Sequence, residues 1–460
     1  MIPTNRQAMS KLTTPRLLIL VAAIFHVMTS IGAVVVGRLG LFGGMFDAQG
    51  LGKFALDSGQ YFRHATTLAG QLRSDGMAAW WADSFPLHIK LYSLSIAALG
   101  PLLGSNILAV EPLNLIGFLA VLIVVCMLGT ELFERRVGLA AAVVVAIWPT
   151  FLLHSTQVLK DQFFISGFLG LILICARLLI RSLDWRSGLL HGLIGGALLA
   201  LLWIIKADFW EFLLLVLVVA FALLAVRFLR ERTVSAGNVV AAFFLIVTLF
   251  GAPQLLGKYR KPNPHPLIIV SGTGANQVIT INRAPGTPEP VQPPSRTSRG
   301  LSRLREKLAW ARYLYANYPG TTSAIDSEVR LESWGQVVAY VPRALEIGLF
   351  APFPETWLGT GAKVGRGGRI LSGLEMMVMY VAYVLVGVAL WRRRSQLPLW
   401  LLLTVSVGSV LALSLVTANL GALYRLRYPF WMLLIVLGTG GWFVWREKEL
   451  AADYADSTDV

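Results

Sequence analysis

Charge is what this sequence has least of. Only 14% of its 460 residues are charged and 56% are hydrophobic, where a soluble domain is roughly one quarter charged. With a mean hydropathy of +0.66, that excludes a cytosolic enzyme. Cysteine is nearly absent: Cys126 and Cys175 both lie in apolar runs, which excludes a disulfide framework and a Cys-ligated metal site. The six histidines form no HExxH pattern and no close pair, so no metal site is expected. No cofactor is required, and a divalent cation stays open. Acidic residues are also scarce, 25 against 40 basic ones, leaving +15. In a membrane protein such an excess points to cytoplasmic anchoring and anionic head groups, and no nucleic-acid partner is expected.

What is present is a series of apolar runs of about 18–20 residues, each able to cross a hydrocarbon core of about 30 Å. The first, Leu17 to Val36, follows Arg6, Lys11 and Arg16. A signal peptide would have a shorter core and a small-residue cleavage site, so this run reads as a retained helix. Further spans fit at 112–130, 138–154, 162–180, 189–205, 209–226, 238–257, 373–391, 398–416 and 428–445. The predicted fold class is an all-α polytopic membrane protein of about ten spans, within a range of about 9–12. The stretch 87–103 is ambiguous, being short, interrupted by Pro101 and carrying His88 and Lys90. Placing it along the interface puts Arg135-Arg136, Arg181 with Arg186, Arg227 with Arg230 and Arg232, Arg392 to Arg394, and Arg446 with Lys448 all on one side. That is the positive-inside pattern of short cytoplasmic loops.

The resulting organisation is a transmembrane module over 1–257 with an outer loop at 37–111. A large outer region follows over 258–372, then C-terminal helices over 373–446 and a tail over 447–460. Prolines crowd 258–300, among them Pro285, Pro288, Pro290, Pro293 and Pro294, which predicts irregular chain. Residues 301–318 have helical spacing and a basic face. The tail from Glu449 is acidic and expected to be irregular. Ser271-Gly272-Thr273-Gly274 lacks the Lys-Ser/Thr that closes a P-loop and reads as a turn.

The uncommon polar residues gather on the outer side. Asp57, Tyr61 and His64 recur at helical spacing, and Asp57 reads either as a helix cap or as a functional carboxylate. Lys160 and Asp161 stand together at a helix mouth, either as an interfacial ion pair or as site residues. Lys206-Ala207-Asp208 is a corner of the same kind, and Arg425 and Arg427 precede the last span. Charges at bilayer depth cost about 2.5–3.5 kcal/mol each, so outer corners that all hold charges predict a shared polar cavity. Basic groups there would clamp a phosphate, and a carboxylate would deprotonate an acceptor hydroxyl or amine. Trp80-Trp81 reads as a sugar-stacking pair or an interface marker. Arg343 lies in a stretch with an aromatic belt of Trp334, Phe350, Phe353 and Trp357. The basic region 258–372 would cover the cavity or contact lipid head groups.

In their order these residues resemble the GT-C glycosyltransferases, particularly the branch of the protein O-mannosyltransferases and the lipid A aminoarabinose transferase. The matches are Asp57 with Tyr61, Phe85-Pro86-Leu87-His88 with Tyr92, Leu132-Phe133-Glu134-Arg135-Arg136, Trp148-Pro149 with Ser155 to Asp161, and Arg425 to Pro429. The resemblance covers about 10–260 well and 330–445 loosely. It implies a GT-C-like bundle and an inverting transfer of a sugar from a polyprenyl-phosphate donor to a lipid, glycan or protein acceptor. Asp57 would be the general base and Asp161 a second acidic residue. Tyr61, His64, Lys160, Lys206, Asp208, Arg343, Arg425 and Arg427 would bind substrate, with the lysines and Arg425 on the donor phosphate. The implied location is a bacterial inner (plasma) membrane, with the site facing the periplasm or exterior. Some relatives carry a second acid after the first; here that position is Ser58. The rival readings are an O-antigen ligase or polymerase and a flippase or transporter. A transporter predicts charged or broken helices at the bilayer midplane, and here the charges sit at the outer ends.

Overall fold

The structure, a computed structural model, describes residues 5–257, 268–271, 278–281, 293–295, 299–317, 322–361 and 364–458. Gly272 to Gly274 and Pro285, Pro288 and Pro290 lie outside the described residues. The helices are α1 (Asn5–Arg38), α2 (Leu56–Ser74), α3 (Gly76–Ala82), α4 (Leu87–Leu103), α5 (Glu111–Leu132), α6 (Arg135–Ala146), α7 (Pro149–Ser155), α8 (Asp161–Ile180), α9 (Trp185–Lys206), α10 (Trp210–Glu231) and α11 (Ala236–Leu256). Two strands follow, β1 (Ile268–Ser271) and β2 (Val278–Ile281). The chain then continues through α12 (Gly300–Ala316), α13 (Trp334–Phe350), α14 (Gly365–Arg392), α15 (Leu397–Val416), α16 (Leu420–Leu426) and α17 (Tyr428–Thr458). This is an all-α polytopic membrane protein, and the short β1–β2 hairpin is an addition the sequence did not predict.

Among the described residues, eight helices are long and apolar enough to cross a membrane, or nine if the α6–α7 pair, bent by 69°, is one span. One of the eight is the 47-residue run Trp185–Glu231. Straight, it would be about 70 Å long, more than twice the hydrocarbon core. It is two crossings, because the backbone breaks at Lys206 (φ −151°, ψ 61°) and α10 returns to where α9 began. Arg227, near the end of α10, donates to the carbonyls of Leu178 and Arg181 at 2.8 Å each, just before α9 starts. Dividing the run gives nine spans, or ten with the α6–α7 pair, within the predicted range of about 9–12.

The chain forms two compact units, Met1–Arg260 with Met377–Val405 and Trp431–Val460, and Lys261–Met376 with Ser406–Phe430. In the first unit, small residues set the helix spacing. A Cβ on Gly188 would lie 2.1 Å from the Gly237 carbonyl oxygen, Gly192 meets Ala241, and Gly195 meets Leu245. The register advances in the same sense on both helices, so α9 and α11 run parallel. Without a hydrophobic drive inside lipid, such close backbone approach supplies the packing energy. Gly129 against Gly138 closes the α5–α6 hairpin in the same way, with 2.6 Å left for a Cβ.

At 17 residues α4 falls just short of a span. It packs with α2 on a core of Phe62, Ala65, Leu68, Ile89, Tyr92 and Ile96. The tail differs from expectation. It continues α17 to Thr458, because the segment Glu447 to Ala455 is rich in Glu, Lys, Leu and Ala, strong helix formers.

In the second unit β1 and β2 pair antiparallel, Ile268 opposite Ile281. Buried Arg312 on α12 donates to the carbonyls of Asp326, Val329 and Leu415 and to the Tyr340 hydroxyl. α13 opens on a Ser333–Gln336 capping box.

Candidate active site

The first unit positions one short segment with unusual thoroughness. Between α7 and α8, almost every residue from Ser155 to Asp161 is tied to a different element. Ser155 Oγ lies 3.0 Å from His26 Nε2 on α1. The Thr156 carbonyl accepts from Asn114 Nδ2 on α5 at 2.9 Å. Gln157 accepts from the Gly52 N–H and donates to the Gly50 carbonyl. The Val158 N–H donates to Ser58 Oγ on α2 at 3.0 Å. The Leu159 carbonyl accepts from the Tyr92 hydroxyl on α4 at 2.7 Å. Asp161 Oδ1 then meets Lys206 Nζ at 3.3 Å. A loop held at each residue keeps its side chains at fixed positions, as a preorganised site requires.

The His26 anchor has the outline of a nucleophilic triad, with Glu111 Oε1 2.7 Å from His26 Nδ1. It does not have the protons of one. Ser155 Oγ gives its hydrogen to the Leu152 carbonyl at 2.7 Å and so does not present it to the imidazole as a nucleophile's hydroxyl does. Ser30 Oγ donates to the second Glu111 oxygen at 2.5 Å, and His26, Ser30 and Ser155 are buried. The row is a brace for the loop.

The charges converge above this loop. Asp57 lies half-buried in the first turn of α2. The N-cap there is Ala55, and the helix dipole favours a carboxylate in that turn. The Lys160 amine is pulled down to about 8, first by burial and next by the like charge of Lys206, against the upward pull of Asp161, Asp208 and Asp57. Three carboxylates and a second ammonium thus act on one amine, from segments up to 151 residues apart (Asp57 to Asp208). Lys206 Nζ also sits 5.0 Å and 4.5 Å from the ring centroids of Phe164 and Phe209, favourable cation–π placements. Asp208 is exposed on the one-turn helix Ala207–Phe209.

The α2–α4 face adds aromatic groups. Tyr61 packs edge-on against His88 with centroids 5.0 Å apart, and His64 against Phe85 at 4.9 Å. The His88 imidazole is pushed down to about 3 by burial, then by the charge of Lys160, with Asp161 opposing. It is therefore neutral at physiological pH. Lys90 Nζ donates to the Trp81 carbonyl at 2.6 Å and lies over both Trp80 and Trp81. Trp80 is buried and donates to Ser93 Oγ, while Trp81 is exposed. Sequence reasoning did not place His88 or Lys90 in the site. The available signal was a His and a Lys inside an apolar run, an expensive placement that marks function by default.

The predicted site residues therefore divide. Asp57, Lys160, Asp161, Lys206 and Asp208 form one electrostatic group, with Tyr61 joined to it through His88 and His64 nearby on α2. Arg343, Arg425 and Arg427 lie in the second unit. Arg427 is buried, donates to the carbonyls of Gly348 and Ala351, and stacks on Tyr424 at 4.6 Å. Arg343 pairs with Asp326 at 3.1 Å and Glu346 at 2.9 Å. Arg425 is half-buried in the last turn of α16. Among the described residues, no group of three or more His, Cys, Asp or Glu side chains is placed to hold a metal ion. No family model matches the chain, and no curated protein matches it either.

Proposed function

We propose that this protein is a membrane glycosyltransferase that moves a sugar from a polyprenyl-phosphate donor to an acceptor, with inversion, at the Asp57–Lys160–Asp161–Lys206 group. The donor site faces the outer side of the membrane in this reading. The observation that carries it is the convergence on Lys160 of carboxylates from α2, α8 and the α9–α10 corner. In the mechanism, Asp57 takes the proton of an acceptor hydroxyl as its oxygen attacks the anomeric carbon. The bond from that carbon to the phosphate oxygen breaks, and its electron pair leaves with the polyprenyl phosphate. The leaving group is already a good anion, so its developing charge is the main thing to stabilise. Fixed cations in a water-poor cavity do this effectively, and Lys160 and Lys206 take that role in this reading. Asp161 holds Lys206 in place and does not touch the reacting atoms. The basic cluster at the opposite end, Arg181, Arg186 and Arg227, is the cytoplasmic face by the positive-inside rule.

The test uses the full chain in lipid with a pool of polyprenyl-phosphate hexoses and pentoses and candidate acceptors, following free polyprenyl phosphate by mass spectrometry. Turnover by wild type that Asp57→Asn abolishes, in a folded protein that still binds donor, supports the reading. Turnover that survives Asp57→Asn removes Asp57 from its role. No release from any donor overturns the transferase.

A further inference from the structure

One buried polar atom next to the charged group has no role in the mechanism above. His88 is only 5% exposed, and its Nε2 has no hydrogen-bond partner among the described residues. Buried polar nitrogens are almost always partnered, and each exception calls for a reason. The ring is held by Tyr61, which fixes its direction without using the nitrogen. Neighbouring polar atoms on α4 are all engaged: Tyr92 with Leu159 and Asn114, Lys90 with Trp81, and Ser93 with Trp80 and the Lys90 carbonyl. His88 lies close enough to Lys160 and Asp161 to feel both charges.

A neutral imidazole nitrogen can donate or accept one hydrogen bond according to its tautomer. It cannot contribute charge, so it is a poor partner for a phosphate and a good one for a hydroxyl, which also does both. Tyr61 presents an aromatic ring beside it, the kind of surface on which the C–H face of a sugar packs. The two side chains therefore have the chemistry of a carbohydrate subsite, next to lysines with the chemistry of a phosphate subsite.

We infer that His88 Nε2 binds a ring hydroxyl of the donor sugar, and that the Tyr61–His88 pair is the sugar subsite while Lys160 and Lys206 take the phosphate. This rests on the transferase reading and deepens it. His88 is a binding residue and transfers no proton to the reacting atoms.

The experiment compares wild type, His88→Phe, His88→Asn and Asp57→Asn in lipid, with the donor that wild type turns over and its deoxy analogues. His88→Phe keeps a ring on Tyr61 and removes the hydrogen bond; His88→Asn keeps a polar group. The donor KM is expected to rise about tenfold in His88→Phe with kcat little changed, the effect of one lost buried hydrogen bond. His88→Asn is expected to recover most of the loss. One deoxy donor is expected to bind wild type about tenfold more weakly and His88→Phe no more weakly, which a packing role would not produce. A His88→Phe enzyme with wild-type KM, or equal losses for every deoxy donor in both proteins, overturns the subsite while Asp57→Asn still reports on the transferase. Failure of wild type with every donor overturns both. If His88→Phe does not fold, His88→Asn and the deoxy series on wild type decide: an unchanged KM for all deoxy donors overturns the inference.

Discussion

The two ends of the first unit's helix bundle both bury charge, and they do so in opposite ways. At one end Arg227 reaches Glu231, two backbone carbonyls and Ser182. Beside it Glu131 pairs with both Arg177 and Arg181, and Asn238 ties the same carbonyls. Arg177, Arg181 and Arg227 each have acceptors there, and the result closes the turns between α8, α9, α10 and α11. At the other end Lys206 lies near enough to Lys160 to depress it, and His88 Nε2 has no hydrogen-bond partner among the described residues. Like charges kept close and an unmet polar atom lower stability. A fold that accepts those costs at one end, while pairing Arg177, Arg181 and Arg227 with acceptors at the other, distinguishes a ligand site from a structural knot.

The sharpest break of this contrast is a paired substitution. Asp57→Asn is expected to lower turnover by at least about a hundredfold, the range of a lost general base, with thermal unfolding unchanged. Arg227→Gln is expected to do the reverse, lowering the unfolding temperature while kcat per folded molecule holds. An Arg227→Gln enzyme as impaired in kcat as Asp57→Asn would erase the distinction between the ends.

Next in size is the Asp161–Lys206 pair. Both side chains are largely buried, so Lys206→Met strands a carboxylate, and breaking such a pair costs about 3–5 kcal/mol. The double variant Asp161→Leu with Lys206→Met is expected to unfold closer to wild type than either single one, yet to bind donor no better. Recovery of donor binding in the double variant would show that the pair serves only stability.

The pH dependence separates the same two properties with opposite signs. Lys160 titrates near 8 when folded against 10.5 ordinarily, so between those values the unfolded chain binds more protons. Stability therefore rises with pH across that window and gains nothing below it. Donor binding that needs the ammonium falls across the same window, by about tenfold per unit above 8. Lys160→Arg, which stays charged, is expected to flatten the binding limb. Parallel pH profiles for stability and binding would remove Lys160 from the phosphate site.

How much of this could be read beforehand follows from what each signal depends on. The spans are set by local apolar length, and nine of the ten expected ones are single long apolar helices, including the two divided at Lys206; the tenth, 138–154, is the bent α6–α7 pair. The charged corners were legible because charge is so rare in this composition. Membrane sidedness predicts Asp57, Asp161, Lys206 and Arg425 in one group; the first three act together on Lys160, while Arg425 lies in the second unit. Arg427 was misleading, because an arginine beside a span looks the same in sequence whether it faces a ligand or backbone carbonyls. His88 could not be assigned, since an unmet nitrogen is defined by its neighbours in space. Ser155 and His26 showed no pattern either, lying 129 residues apart.

Ser58 carries the smallest effect and tests the contrast most finely. An acidic residue at this position would be expected from the family resemblance, and it would sit beside Asp57. Ser58 is instead fully buried, and its Oγ accepts the Val158 N–H. It therefore joins the α2 turn that carries Asp57 to the loop that carries Lys160 and Asp161. Ser58→Ala removes one acceptor and leaves that N–H buried, a loss of about 1–3 kcal/mol. Because both ends of the bond lead directly to site residues, the small displacement is expected in kcat, by about threefold to tenfold, with donor KM unchanged. Ser58→Thr keeps the acceptor and is expected to recover the rate. Ser58→Asp places a second carboxylate against Asp57 in a buried turn, where like charges resist joint ionisation, and its rate is expected to fall below that of Ser58→Ala. A Ser58→Asp enzyme faster than wild type would mean that a paired acid suits this site and that the serine is a departure without a function.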